Sequence, residues 1–267
     1  MFHETHMKKT LPFLLLLLVF FASACDRGAS TNAPAEKPKP ANDVVVFAIN
    51  PDYPPMEQVD SKTGEIVGFT PELLKAIGEK GGFTPQLKIV DWKAIFGALE
   101  TSEVDAIISS VTITEERKQK YAFSDPYYTI SQRLVIRKED AGAIKSIDDL
   151  KGKKVGVQIG TTGAILMEKS YPTIERATYD SPIPGMADLL EKKISAFMVD
   201  EPVALQYTKQ NPDTKDTLLV LDFRFSEEEY GIVVRKADKA LLEKINKGIH
   251  ATKEAGIDQE LRKKWLL

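Results

Sequence analysis

Short apolar runs alternate with amphipathic segments along most of the chain. Val44–Ile49, Leu87–Val90 and Val104–Ser109 are rich in β-branched residues, as expected for strands buried on both faces. Between the first two runs, Thr70 precedes a segment with apolar residues at helical spacing, and Thr followed by Pro is a common helix start. This alternation of strand and helix predicts an α/β fold with mostly parallel sheets flanked by helices.

The same pattern starts again in the second half of the chain. A long strand is predicted at Ser131–Arg137, and a polar, irregular stretch follows it. Further strands are predicted at Lys154–Gln158, Ile194–Val199 and Gly231–Arg235, and helices at Ala164–Ser170, Met186–Lys193 and Leu241–Glu254. The restart indicates two lobes of similar construction.

Polar, aromatic and acidic residues follow several of the predicted strands. In open α/β sheets, ligands bind beyond the carboxyl ends of the strands. The residues at those ends are Asn50 to Tyr53, Trp92, Ser109 to Thr112, Gln158 to Thr162, and Asp200 with Glu201. This mixture suits a small zwitterion better than a purely apolar ligand.

The stretch from Ser109 to Arg117 combines features that are typical of an anion-binding site. Ser109, Ser110 and Thr112 follow a buried strand, and a helix then begins with Thr112 or Thr114 as its N-cap. Arg117 falls in the first turn of that helix. Hydroxyls, free backbone amides and a guanidinium would therefore converge, as in sites that hold a carboxylate or another small anion. A capped, charged helix on the protein surface is the alternative interpretation.

Composition narrows the classes of function. The 267 residues are 43% hydrophobic and 28% charged, with a net charge of −3, which is typical of a globular protein. No basic cluster with interleaved aromatic residues indicates nucleic-acid binding. Beyond the leader, His250 is the only histidine, so neither a Ser-His-Asp catalytic triad nor a zinc site is expected. We therefore predict no catalytic residues, no metal and no cofactor.

The N-terminal residues have the pattern of a secretory signal. Two lysines after Met7 precede the apolar run Leu11–Phe21, and small residues stand before the only cysteine, Cys25. We predict a signal peptide over residues 1–24, with either Met1 or Met7 as the start. Residues 25–42 are rich in Ala, Pro and Lys, which predicts a disordered tether.

The junction at Cys25 resembles a bacterial lipoprotein signal. That resemblance implies that Cys25 becomes the acylated N-terminus and anchors the protein to the membrane. The match is imperfect, because Ala22 stands where leucine is usual. A plain signal-peptidase site and a free periplasmic protein form the alternative.

Beyond the leader, the chain resembles the solute-binding proteins of polar amino-acid ABC importers, which have the type II periplasmic-binding fold. The motifs VGFTPELLKAI, DAIISSVTITEER, YAFSDPYY, DLKGKKVGVQIGTTG and DEPVAL carry the resemblance. It implies a first lobe of residues 43–130 and 226–267, a second of 131–225, and two hinge strands near Tyr128–Leu134 and Leu221–Phe225. It also implies a monomer outside the cytoplasm that delivers its ligand to an ABC permease and the permease's ATPase.

The resemblance also implies roles for individual residues. Arg117 would grip the ligand's α-carboxylate, helped by Thr112 and by backbone amides near Thr162. Asp200 would take the α-ammonium, helped by Ser110. The remaining residues would surround the ligand's side chain: Tyr53 and Trp92 as an aromatic sandwich, and Gln158, Ser109 and Asn50 as pocket lining.

The ligand's identity is left open at one position. Members that bind basic amino acids often have an acid where this chain has Asn50. Another acid, such as Asp52, Glu57 or Glu201, could supply that charge. We therefore expect a polar amino acid as the ligand, and a basic one is included.

Two other classes of function are compatible with this fold. Some of its members are dehydratases that act through a single carboxylic acid, and Asp200 or Glu201 beside Trp92 could serve in that way. The chain could also be a ligand-sensing module that acts on a separate membrane protein.

Overall fold

The computed structural model describes residues 43–266. The signal peptide, Cys25 and the tether predicted above lie outside those residues. Among residues 43–266, no helix combines the length and the apolar character required to cross a bilayer.

The first half of the chain builds most of one sheet. Its strands are β1 (Val44–Ile49), β2 (Asp52–Tyr53), β3 (Glu57–Val59), β4 (Ile66–Val67), β5 (Thr84–Ile89), β6 (Ala106–Ile107), β7 (Tyr121–Phe123) and β8 (Tyr128–Ile130). Its helices are α1 (Phe69–Gly81), α2 (Ile95–Glu100) and α3 (Glu115–Lys120). The alternation predicted from the apolar runs is therefore present, and the short strands β2, β3 and β4 form a separate three-stranded sheet.

The second half builds another sheet and returns to the first. Its strands are β9 (Gln132–Arg137), β10 (Lys154–Gln158), β11 (Glu175–Tyr179), β12 (Ala196–Asp200), β13 (Leu218–Val220), β14 (Glu228–Tyr230) and β15 (Val233–Arg235). Its helices are α4 (Thr162–Ser170), α5 (Pro182–Leu190), α6 (Glu201–Leu205), α7 (Lys239–Glu254) and α8 (Ile257–Trp265).

Two five-stranded sheets of matching design result. Their strand orders are β5-β1-β6-β15-β7 and β11-β10-β12-β9-β13. In each sheet the first three strands are parallel, and the last two pair antiparallel. The predicted α/β class with mostly parallel sheets is confirmed: in each sheet four of the five strands run in one direction, and only β15 in the first and β9 in the second run against them. β9 directly follows the crossing strand β8, and β15 directly follows the crossing strand β14, so each of them enters its sheet against the direction of the βαβ units.

Two strands cross between the sheets. β8 and β14 pair antiparallel, with Tyr230 opposite Tyr128. The second crossing is therefore Glu228–Tyr230, and its predicted position at Leu221–Phe225 is wrong. The reason is that the amides of Leu221 and Phe225 still bond to carbonyls of β9. That segment continues to follow the second sheet.

Apolar packing fixes the helices on the sheets. The last long helix, α7, lies against α1 at a glycine. A Cβ at Gly248 would approach the carbonyl oxygen of Ile77 to 2.2 Å, so only glycine permits this spacing. Phe47 in β1 and Phe197 in β12 are completely buried, each beneath helices of its own sheet. The two sheets therefore provide rigid platforms for the residues at their strand ends.

Candidate functional site

A cavity lies between the two sheets, at the carboxyl ends of their parallel strands. Most of its lining side chains are polar or charged, which suits a small polar molecule. All ten residues that the sequence suggested as ligand contacts line this one cavity, together with Glu57 and Thr161. The ten are Asn50, Tyr53, Trp92, Ser109, Ser110, Thr112, Arg117, Gln158, Thr162 and Asp200.

Strand ends bring these residues together. Asn50 directly follows β1, and the backbone N–H of Asn50 donates to Ser109 Oγ at 2.9 Å. Ser109 stands just after the neighbouring strand β6. Gln158 and Asp200 are the last residues of β10 and β12 in the second sheet. Each sheet thus presents its polar residues to the same space, as expected at the carboxyl edges of parallel strands.

Arg117 lies at one end of the cavity with its charge unpaired. Thr114 is the N-cap of α3 and accepts from the Arg117 amide at 3.1 Å, which decides between the two predicted caps. The Arg117 guanidinium donates to the carbonyls of Thr112 at 2.7 Å and Gly160 at 3.1 Å. It lies near the rings of Trp92 and Phe96, 6.0 and 5.5 Å from their centroids.

The surroundings of Arg117 favour an anion beside it. Desolvation by burial lowers the pKa of the guanidinium, because the neutral form is penalised less. None of the ion pairs among the described residues includes Arg117. A carboxylate at this end of the cavity would supply the missing countercharge.

Asp200 approaches from the second sheet and is held by neutral donors. Although it precedes α6, its side chain makes no cap hydrogen bond to that helix. Its carboxylate instead accepts from the Gln132 amide and from the Tyr230 hydroxyl. Burial raises the pKa of Asp200 to about 6, and the hydrogen bonds from Tyr230, Tyr53 and Gln132 oppose that rise. The group is therefore mostly ionised at neutral pH and can receive an ammonium.

Glu57 is a second buried acid in the cavity. In the β2–β3 hairpin it pairs with Tyr53, and both residues line the cavity. Ser110 Oγ donates to Glu57 Oε2 at 3.0 Å, and Ser109 Oγ lies 3.4 Å from Oε1. Burial raises the pKa of Glu57 to about 8. Of the three acids weighed as partners for a basic ligand, only Glu57 reaches the cavity.

The other two acids lie elsewhere. Glu201 accepts from the guanidinium groups of Arg133 at 3.2 Å and Arg224 at 3.1 Å, away from the cavity lining. Asp52 opens the short strand β2 and does not line the cavity. Neither position can therefore touch a ligand held beside Asp200 and Arg117.

Hydrogen bonds join the two sides of the cleft in this structure. The Trp92 indole Nε1–H donates to the Ile159 carbonyl at 2.9 Å, and Arg117 reaches Gly160 as described. Thr162 Oγ1 donates to Glu228 Oε2 at 2.6 Å, which ties α4 to the crossing strand β14. The cleft is therefore closed, and the cavity is enclosed by residues of both sheets.

Sequence reasoning missed the residues that hold Asp200. Gln132 is 1% exposed and opens β9, and its Nε2 also donates to Thr162 Oγ1 at 3.1 Å. Tyr230 is completely buried in β14. From sequence, the segments that contain Gln132 and Tyr230 are predicted to be a core strand or a hinge. A glutamine at the start of an otherwise apolar buried strand was the one available signal, since a buried amide requires partners.

Among residues 43–266 the strands β8 and β14 connect the two sheets, and a cavity closed between sheets joined in this way is typical of a ligand-binding protein of two lobes. The chain belongs to the bacterial extracellular solute-binding proteins, family 3, whose model matches residues 45–267. Its location is accordingly extracytoplasmic.

Curated relatives are binding proteins of the same class. The chain is 35% identical over 213 residues to the L-cystine-binding protein TcyJ of Escherichia coli (strain K12), covering 80% of this chain and 79% of the relative. It is 33% identical over 264 residues to the arginine-binding extracellular protein ArtP of Bacillus subtilis (strain 168), covering 97% and 98%. These relatives support amino-acid binding for an ABC importer, and not an enzyme.

Solved structures agree with the fold. An ancestral arginine-binding protein bound to arginine matches with a TM-score of 0.78 and 36% identity, over 85% of this chain and all of that one. The predicted type II periplasmic-binding fold is thereby confirmed. The predicted function is confirmed as well: the protein captures a polar amino acid for an ABC importer.

Proposed function

We propose that the cavity binds the amino acid by its two backbone charges. Arg117 pairs with the α-carboxylate, helped by Thr112 and by the backbone near Thr162, and Asp200 pairs with the α-ammonium, helped by Ser110. The remaining lining contacts the ligand's side chain: Tyr53, Trp92, Asn50, Ser109 and Gln158. The main observation in support is that Arg117, from the first half of the chain, and Asp200, from the second sheet, line the same cavity. Their hydrogen-bond partners there are neutral groups, and neither has an ion-pair partner in the cavity.

This arrangement couples binding to closure. Arg117 belongs to the part of the chain that builds the first sheet, and Asp200 to the second sheet. A zwitterion that touches both groups binds the closed form better than the open one, and that difference in affinity drives closure. We infer that the moving units are a first lobe of residues 43–130 and 226–267 and a second of 131–225.

The test is calorimetry with Arg117→Ala. The twenty amino acids are first screened by thermal shift, because a true ligand stabilises the folded protein by mass action. For the best of them, Arg117→Ala should weaken binding about 100-fold or more, since one member of a buried charge pair is lost. Arg224→Ala is the matched control, because Arg224 is exposed and pairs with Glu201 outside the cavity. Equal affinity in both variants would refute the assignment.

We also propose how the protein meets its partners. Acylation at Cys25 would tether the monomeric, folded part to the membrane through residues 25–42, within reach of the permease and its ATPase. The support is the small-residue pattern before the cysteine. Cys25→Ser should move the protein from the membrane fraction to the soluble extracytoplasmic fraction, and unchanged partitioning would contradict the anchor.

A further inference from the structure

Helix α8, near the C-terminus, touches the strand by which the chain first crosses between the sheets. The guanidinium carbon of Arg262 in this helix lies 4.4 Å from the centroid of the Tyr128 ring. Its Nη2 donates to the Tyr127 carbonyl at 3.2 Å. Asp258, one helical turn earlier, places a carboxylate oxygen 3.7 Å from Arg262 Nε. Arg262 therefore holds two successive residues at the point where the chain enters β8.

The two residues that Arg262 contacts both pack against Tyr230 on the other crossing strand. The Tyr127 N–H donates to the Tyr230 carbonyl at 3.0 Å, and Tyr128 lies opposite Tyr230 in the β8–β14 pair. Their rings also contact the Tyr230 ring, with centroids 6.0 Å away for Tyr127 and 6.2 Å for Tyr128. These distances are those of favourable aromatic pairs, so the two neighbours fix where the Tyr230 ring lies.

The far end of the Tyr230 ring enters the binding site. Its hydroxyl donates to the Asp200 carboxylate. A hydroxyl on a rigid ring moves with the ring, and a hydrogen bond weakens steeply when its geometry is disturbed. Contacts thus run without a gap from Arg262, through Tyr128 and Tyr230, to the acid at the end of the second sheet.

We propose that Arg262 is a positioning residue for the binding site: from α8 it fixes the two crossing strands against each other and so keeps the Tyr230 hydroxyl on Asp200. The proposal rests on the proposed function, in which ionised Asp200 receives the ammonium of the amino acid. It gives the last helix a part in ligand affinity, although none of the described residues of α8 lines the cavity.

Two simpler roles of Arg262 lead to different expectations. A role in folding alone would lower stability but would not change the pH at which affinity is lost. A role as a distant charge would act on Asp200 with or without the Tyr230 hydroxyl, and lysine could fulfil it. The proposed role requires the guanidinium itself, because one planar group contacts a ring and a carbonyl at once.

The pH dependence of affinity reports on Asp200. Burial raises its pKa to about 6, and the hydrogen bond from Tyr230 is the largest contribution that opposes this rise. Glu57, the other buried acid in the cavity, has its pKa raised to about 8. Affinity should therefore fall as pH drops through about 6, where Asp200 takes up its proton. The titratable or charged groups that interact with Asp200 are Tyr230, Tyr53, Tyr127, Glu57, Glu228 and Arg117.

The test is calorimetry from pH 5.5 to 8.5 with the one of the twenty amino acids that gives the largest thermal shift. Arg262→Ala should raise the midpoint of the affinity profile by about 0.5 pH unit, because a disturbed bond to a charged group loses part of its contribution. Affinity then falls about threefold at pH 5.5 and hardly at all at pH 8.5. Arg262→Lys, which keeps the charge and loses the planar group, should show most of the same shift.

Lys263→Ala is the matched control. It removes a positive charge from the next residue of α8, which is exposed, and should leave the profile unchanged. The Arg262 side chain is itself 35% exposed, so the fold should tolerate its replacement. Tyr128→Leu is a second variant that removes the ring between Arg262 and Tyr230, and it should shift the profile in the same direction.

A double variant separates positioning from distant charge. In the Tyr230→Phe background, Arg262→Ala should cause no further shift of the midpoint, because the hydroxyl that Arg262 positions is gone. An equal shift in both backgrounds would overturn the proposal. An equal loss of affinity at every pH would do the same, and so would an unchanged profile in Tyr128→Leu.

Failure of this proposal is separable from failure of the proposed function. If Tyr230→Phe shifts the profile and Arg262→Ala does not, Asp200 remains the partner of the ammonium and only the role of Arg262 is wrong. If Tyr230→Phe leaves the profile unchanged, the assignment of Asp200 fails, and the role of Arg262 fails with it.

Discussion

Replacing Tyr230 with phenylalanine removes one hydrogen bond to Asp200 and little else. The Tyr230 ring is completely buried and stacks with the Tyr128 ring, with centroids 6.2 Å apart and an interplanar angle of 27°. Phenylalanine keeps that ring in place. The lost group is the hydroxyl that donates to the Asp200 carboxylate. The change therefore tests how the second sheet prepares its acid for an ammonium.

The expected effect follows from the pKa of Asp200. A hydrogen bond to a charged group contributes about 1.5–3 kcal/mol, and 1.36 kcal/mol corresponds to one pKa unit. Loss of the Tyr230 donor should thus raise the pKa of Asp200 from about 6 to roughly 7–8. The ionised fraction at pH 7 falls from about nine tenths to between one half and one tenth. The affinity for the amino acid should fall about two- to tenfold.

The pH dependence distinguishes this cause from a general disturbance. Because the proposed pairing with the ammonium requires ionised Asp200, affinity should fall as pH drops through the pKa of that group. In the unaltered protein this loss begins near pH 6, and in Tyr230→Phe it begins about 1–2 units higher. Raising the pH to 8.5 should therefore restore most of the variant's affinity relative to the unaltered protein.

Calorimetry from pH 5.5 to 8.5 measures this shift, and Tyr128→Phe is the matched control. Tyr128 lies opposite Tyr230 in the β8–β14 pair, and none of its hydrogen bonds reaches Asp200. The control should follow the unaltered protein at every pH. If Tyr230→Phe has the same affinity and pH profile as that control, Asp200 is not the group that binds the ammonium.

Two further predictions concern closure and stability. Trp92→Phe removes the 2.9 Å bond to the Ile159 carbonyl, worth about 0.5–1.5 kcal/mol, so affinity should fall two- to tenfold and small-angle scattering should show a less closed protein. Glu57→Gln should change how stability depends on pH, measured by urea unfolding without ligand. The pKa of Glu57 rises from 4.5 to about 8 on folding, so ionisation destabilises the native protein as pH rises through that window. The stability of the variant relative to the unaltered protein should grow by up to roughly 5 kcal/mol between pH 4.5 and 8.

Matched controls exist for both changes. Trp265→Phe is the same substitution at an indole whose Nε1 has no hydrogen-bond partner among the described residues, so it should leave closure unchanged. Glu229→Gln is the same substitution at an exposed acid, and its stability should run parallel to that of the unaltered protein. Equal closure in both tryptophan variants, or a constant stability difference for Glu57→Gln, would contradict the respective argument.

The ten cavity residues could be named from sequence because each follows an apolar strand or belongs to a motif beside one. A strand buried on both faces is recognisable in the sequence as a continuous apolar run, and the polar residue at its carboxyl end is then easily identified. Asn50, Gln158 and Asp200 are of this kind. Their convergence then follows from parallel packing and not from spacing along the chain.

Gln132 and Tyr230 could not be found in that way. They meet Asp200 only because β9 pairs with β12 and because β14 crosses between the sheets. The hydrophobic pattern contains no information on which strands become neighbours. It also does not show which strand of each sheet runs antiparallel to the others. Glu57 was one of three acids that the sequence could not rank, since the β2–β3 pairing decides which of them faces the cavity.

In the proposed mechanism, the charges of Arg117 and Asp200 account for both recognition and closure. In the closed form, Arg117 is bonded to neutral carbonyls and Asp200 to neutral donors. Two unlike charges are thus buried in the cavity, and within residues 43–266 neither forms a direct ion pair, although the charge of Asp200 partly offsets the desolvation of Arg117. Hydrogen bonds such as Trp92 to Ile159 favour closure, whereas these buried charges oppose it. An amino acid that supplies both countercharges removes the opposing contribution only when the two sheets meet. Its binding energy is therefore expressed mainly in the closed form, which is the condition for a ligand to shift the equilibrium.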